Sequence, residues 1–220
     1  MWKAVMRKLG FGSVVTKPAK LSLAWADLSK QEVEALVTPA DWTMIMGGGL
    51  DGAVHEAAGP ELEAFTRKHG MRLEQGQVKS TPGFGTKAKW ILHARAPVYD
   101  PLLAEECMRL LGECVQGCFD EAKLLGAESM AIPLLGMGAT AWPVEIAAQT
   151  VAKALAKAAK DPGSLRTVKV CAFDKDGFEA LGRRMGMAGV VEGDPSAFAY
   201  RLGYGMVRPS QGVEALAAAA

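Results

Sequence analysis

The sequence predicts an α/β domain, a three-layer α/β/α sandwich around a central, mostly parallel mixed sheet, and three observations carry that reading. Segments with strand character alternate along the chain with segments of helical period. Two glycine-rich turns each follow a short buried strand and precede a helix, as strand-to-helix connections in a parallel sheet do. The chain has 220 residues, half of them apolar and 22% charged, enough to bury one sizeable core.

The elements follow in order. Residues 21–25 alternate and form the first strand, and residues 34–37 make a short buried one. Residues 52–69 carry a helical period, and Pro60 breaks that helix or starts a second. Residues 90–94 read as a strand, 102–125 as a long helix and 129–134 as a strand. Residues 144–159 form an amphipathic helix with Pro143 suited to its first turn. A strand over 167–173 and a short helix over 177–185 complete the domain, set at residues 21–187. An N-terminal extension (1–20) precedes it. A C-terminal one (188–220) follows, rich in Gly, Pro and Ser with scattered aromatics.

Composition removes several classes of function. The formal charge is +1, so no global basic field exists and nucleic acid is not an expected partner; an acidic ligand must be held by a local site. No run of 18 apolar residues is present, so no membrane span is expected. Cys107, Cys114 and Cys118 share one face of the long helix and read as small buried hydrophobes, with no histidine near them in sequence. Neither a metal nor a cofactor is therefore expected, and the surroundings implied are reducing and intracellular, cytoplasmic in kind. The first twelve residues are basic and amphipathic but lack a secretory core and cleavage site. A frayed terminus is the plain reading, with a membrane-touching helix or an organelle-targeting remnant as alternatives.

The strongest local signal runs from Val37 to His55. A buried strand ends, a loop follows, Gly47, Gly48 and Gly49 appear, and a helix begins. Glycine has no Cβ to obstruct a phosphate approaching backbone N–H groups, and a helix N-terminus adds about half a positive charge. The pattern matches neither the Walker nor the dinucleotide fingerprint. A second such turn, residues 133–143, holds Gly136 and Gly138 between another strand and another helix. In an open α/β sheet two such loops face one crevice, which suits a diphosphate; two unrelated tight turns are the plain alternative.

Seven segments then occur in a telling order. They are Asp27-Leu-Ser, the stretch 37–55, Ala57-Ala-Gly-Pro-Glu-Leu62, Gly76-Gln-Val, Trp90 to Pro97, the turn 133–143 and the strand 168–173. Over residues 21–185 this series resembles the macrodomain family, and its MacroD-like subgroup in particular. The resemblance implies ADP-ribose, free or linked to a protein, as ligand, and some members hydrolyse the protein link or O-acetyl-ADP-ribose.

By that resemblance Asp27, beside Leu28, accepts from the adenine amino group; read from the residues alone, Asp27 is a helix cap. Gly47, Gly48, Gly49 and Leu50 line the proximal phosphate, and Gly136, Met137, Gly138, Ala139 and Thr140 cover the other side. Phe173 packs on adenine or in the core. Hydrolytic relatives carry two asparagines, an Asp after the glycine loop and a downstream His, and the matching positions here are Thr38, Asp41, Asp51 and His55. Thr38 keeps a donor and acceptor against the ligand. Asp41, Asp51 and His55 are the catalytic candidates: Asp51 to orient water, His55 to share its proton, and Asp41 as acid or base or as an obstructing charge. Thr140 replaces the aromatic that covers the distal ribose, which leaves Trp142 for that role. The glutamate pair of poly(ADP-ribose) glycohydrolases is missing, so chain cleavage is not expected. Three activities stay open: an ester hydrolase, a silent reader, and a degenerate macrodomain for another phosphate-bearing ligand.

Overall fold

The computed structural model describes residues 17–193. The basic first twelve residues and nearly all of the C-terminal extension lie outside the described residues. The chain runs through β1 (Lys20–Trp25), a 3-10 turn (Leu28–Lys30), β2 (Ala35–Pro39), α1 (Gly49–Ala58), α2 (Pro60–Lys68), β3 (Val78–Pro82) and β4 (Trp90–Ala94). It continues through a second 3-10 turn (Pro101–Leu103), α3 (Ala104–Leu124), β5 (Ser129–Pro133), α4 (Val144–Ala158), β6 (Thr167–Ala172), α5 (Lys175–Met185) and β7 (Val190–Val191).

The strands form one sheet in the order β3-β4-β2-β5-β6-β1-β7. Every neighbouring pair is parallel except β3 with β4. The sheet is thus mixed and mostly parallel, as the sequence predicts. Two strands were not foreseen. β3 is an edge strand that ends in proline, half-buried except at the buried Thr81, without an apolar run to announce it. β7 is two residues long and lies past residue 187, paired on β1.

Alternation along the buried strands divides the core in two. Val37, Leu92, Ile132 and Val170 face one side, against Leu111, Cys114 and Cys118 of α3, Val151 and Leu155 of α4, and Leu181 of α5. Leu36, Ile91, Ala131 and Cys171 face the other, against Val54 of α1, Leu62 of α2 and Leu28 of the first 3-10 turn. Helices therefore cover both faces, and the three layers follow. The predicted face of Cys107, Cys114 and Cys118 is buried, and burial pushes the Cys114 thiol up to about 12. Pro60 opens a second helix after Gly59, whose φ of 83° only glycine adopts at ease. Pro143 sits one step earlier than expected, as the extended cap before Val144. Among the described residues no helix is long and apolar enough to cross a membrane.

Because β1, β2, β4, β5 and β6 run the same way, their carboxyl ends share one edge. Asp27, the loop after β2, the segment after β4, the loop after β5 and Phe173 all leave from that edge. β2 and β5 are neighbours, so the two glycine loops start side by side.

Candidate functional site

The first glycine loop is built on Asp51. Thr38 near the end of β2 donates its hydroxyl to Asp51 Oδ1 at 3.1 Å, and the Gly47 N–H donates to Oδ2 at 2.9 Å. The two oxygens of a buried carboxylate thus hold the loop and the strand that leads into it. Close packing accounts for two of the glycines: a Cβ on Gly52 would meet the Gly47 carbonyl oxygen at 2.9 Å, and one on Gly47 would meet Asp51 Oδ2 at 3.0 Å. Gly48 differs. Its backbone is extended (φ −97°), and a Cβ there would meet nothing within 4 Å. It caps α1 without any side chain, so the first-turn N–H groups have no side-chain cap.

Asp41 is exposed and folds the loop locally. Its Oδ1 accepts from Thr43 N (2.7 Å), Thr43 Oγ1 (2.6 Å) and Met44 N (2.8 Å). That turn carries Met44 through a left-handed φ of 56° and buries its side chain completely.

Beneath the loop lies a buried polar cluster. His55 stands one turn after Asp51 on α1, with Nε2 3.7 Å from Asp51 Oδ1, beyond hydrogen-bonding reach. His93 on β4 is the register partner of Thr38, on the same side of the sheet as Ile91, and its Nε2 lies 3.0 Å from Thr81 Oγ1. The two imidazole rings meet edge to face with centroids 6.3 Å apart. Neither nitrogen of His55 has a hydrogen-bond partner, nor has His93 Nδ1.

Burial sets the charges. It raises Asp51 to about 7, against the Gly47 N–H and the Thr38 hydroxyl, which favour the anion. It lowers His55, and it pushes His93 down to about 3, where the neighbouring His55 adds to the effect. Near neutral pH both imidazoles are uncharged. His93 and Thr81 were not singled out from the sequence as site residues. Their one local signal is a polar residue at an inward-facing strand position, and only strand register brings them to α1.

The second loop has a different support. Gly136 (φ 97°) and Gly138 (φ 90°) both adopt conformations that favour glycine. A Cβ on Gly136 would meet the Trp142 ring at 3.0 Å, whereas one on Gly138 would meet nothing within 4 Å. Trp142 is buried, donates from Nε1 to the Pro97 carbonyl at 2.8 Å and packs on Tyr99 at 5.1 Å between centroids. The Tyr99 N–H in turn donates to the Thr140 carbonyl at 2.9 Å. The expectation that Trp142 covers a ribose is therefore corrected: the ring supports the loop from below. Gly138 and Ala139 are exposed at its tip, with Met137 and Thr140 half-buried beside them.

At the neighbouring strand ends, Asp27 caps the first 3-10 turn, its Oδ1 accepting from Ser29 N (3.0 Å) and Ser29 Oγ (2.7 Å). Asp27 Oδ2 lies 3.7 Å from Lys30 Nζ. Leu28 is buried in the core, so only its backbone can meet a ligand. Phe173 is half-buried, and its carbonyl accepts from Trp25 Nε1 at 3.2 Å. Leu50, in the first turn of α1, is half-buried too.

Known proteins share this architecture. A Macro domain family model matches residues 37–151, from β2 into α4. A Macro domain-containing protein of Lactiplantibacillus plantarum is 32% identical over 157 residues, covering 70% of this chain and 90% of the relative. The ADP-ribose glycohydrolase MACROD2 of Xenopus laevis is 30% identical over 169 residues, covering 76% of this chain and 40% of that protein. A mutant Oceanobacillus iheyensis macrodomain, solved with ADPR, superposes with a TM-score of 0.71 at 25% identity, covering 77% of this chain and 93% of the other. Taken with the mixed seven-stranded sheet and the ordered motifs, these matches place the chain in the macrodomain family.

Proposed function

We propose that this protein binds ADP-ribose, free or attached to a protein, and acts as a reader of it. The diphosphate sits between the loop of Gly47, Gly48, Gly49 and Leu50 and that of Gly136 to Thr140. The first turn of α1 supplies N–H groups and the positive end of the helix dipole. One observation carries the reading. Gly48 and Gly138 occupy two neighbouring loops at positions where a side chain would meet nothing within 4 Å. The fold does not need the missing Cβ of Gly48, whose φ is ordinary, but a phosphate approaching the backbone does. The net charge of +1 agrees with a site that holds its anion locally.

The catalytic candidates favour binding over hydrolysis. Both oxygens of Asp51 are engaged by Thr38 and Gly47, His55 lies buried beneath that carboxylate, and Asp41 Oδ1 is engaged by its own turn. Hydrolysis of mono-ADP-ribosyl or O-acetyl-ADP-ribose esters is the second reading. The similarity to an ADP-ribose glycohydrolase favours it, as does a carboxylate directly after the glycine loop.

Calorimetric titration with ADP-ribose tests the first reading, with micromolar affinity (about −8 kcal/mol) expected. No heat of binding from the folded protein at millimolar ligand would refute it. Release of ADP-ribose from a mono-ADP-ribosylated protein tests the second. Release that is abolished by Asp51→Ala supports hydrolysis, and binding without release leaves the reader.

A further inference from the structure

We propose that Asp51, His55 and His93 form a divalent-metal site of the zinc class beneath the first glycine loop. One ligand atom from each residue lies within 4.8 Å of the others, and the three side chains come from two elements, α1 and β4. All three residues are buried, with relative exposures of 7%, 4% and 0%. The two nitrogens of His55 and Nδ1 of His93 are buried without a hydrogen-bond partner, an arrangement folded proteins rarely leave unresolved. A cation bound between them would resolve these nitrogens and the buried carboxylate together.

The donor set fits that chemistry. Two neutral imidazoles and one carboxylate suit zinc and its neighbours in the first transition row, with a fourth position left for water. Outer contacts that orient such ligands are in place. Thr81 holds the His93 ring through Nε2, while Thr38 and the Gly47 N–H hold the Asp51 oxygens. Asp41 on the loop and Glu63 on α2 both favour a positive charge at His55, which suits a cation there.

Occupancy has a consequence for the loop. A bound cation ties α1 to β4 through the carboxylate that orients Gly47. The metal site itself does not depend on ADP-ribose being the ligand above it.

The test uses the full chain, stripped with chelator, checked for folding by circular dichroism, and titrated with Zn²⁺ and separately with Co²⁺. One equivalent of zinc per chain is expected, with a rise of several degrees in Tm at saturation. The Co²⁺ form should show visible bands of nitrogen and oxygen ligation without the intense near-ultraviolet absorption of thiolates, which excludes the cysteines as ligands. His93→Gln and His55→Gln, each a folded control for the other, should lose both the stoichiometric metal and the Tm rise. The proposal is overturned if the folded wild-type chain takes up no stoichiometric zinc, or if both variants retain it. Affinity for ADP-ribose, measured separately on the zinc-free chain, keeps failure of the metal site distinct from failure of the reader assignment.

Discussion

The two glycine loops leave neighbouring parallel strands at one edge of the sheet, yet opposite chemistry holds them. The loop after β2 rests on a buried carboxylate that accepts from Gly47 and from Thr38. The loop after β5 rests on an indole, packed against Gly136 and anchored to the Pro97 carbonyl. Both supports hold backbone at the same edge of the sheet. They differ in what they depend on. A carboxylate brace responds to its own ionisation and to any cation beneath it, whereas the indole brace, held by packing and one hydrogen bond to the Pro97 carbonyl, carries no titrating group. The first loop is thus the adjustable wall of the proposed site and the second the fixed one.

The largest expected effect breaks the fixed wall. Trp142→Ala removes a buried ring and leaves a cavity under Gly136, for a cost of roughly 3–5 kcal/mol in denaturant unfolding. A loss below about 1 kcal/mol would mean that the indole does not support the loop. Breaking the adjustable wall should act on binding more than on stability. Asp51→Ala frees the Gly47 N–H and also removes a buried carboxyl group. ADP-ribose affinity should fall about tenfold (~1.4 kcal/mol) in calorimetry, with a smaller change in Tm than for Trp142→Ala. Equal damage to Tm from the two variants would erase the contrast between the walls.

The smallest effect concerns Asp41 on the outer side of the first loop. Asp41→Asn keeps an oxygen for Thr43 and Met44, so the turn should persist while one exposed negative charge leaves the neighbourhood of a diphosphate. Affinity should rise about threefold (~0.7 kcal/mol) at low salt and hardly at all at high salt. A weaker complex would show that Asp41 contacts the ligand favourably and does not obstruct it.

The same contrast explains what could be read from the sequence. The loops, their flanking strands and the helix that starts at Gly49 follow from local patterns, because glycine, proline and buried apolar runs act within a few residues. The Asp41 turn is local too, with Thr43 two positions on and within reach of the carboxylate, yet the sequence reading of Asp41 names only an acid, a base or an obstructing charge. Supports that arrive through tertiary contact are less legible. Trp142 stands near Thr140 in sequence, which points it at the ligand, but sequence does not tell which side of a loop a ring takes. His93 and Thr81 reach Asp51 and His55 only through the register of β3, β4 and β2. β3 has no strong apolar period in the sequence, because only Thr81 of its five residues is buried.

The central claim is that the first glycine loop is open for an anion and not for packing, and Gly48 tests it most directly. A Cβ at Gly48 meets nothing within 4 Å, so Gly48→Ala and Gly48→Glu should both fold with Tm close to that of the wild type. Calorimetry with ADP-ribose should then give micromolar binding for the wild type, weaker binding for Gly48→Ala and none for Gly48→Glu, whose bulk and charge occupy the phosphate position. Wild-type affinity in a folded Gly48→Glu protein would contradict the account.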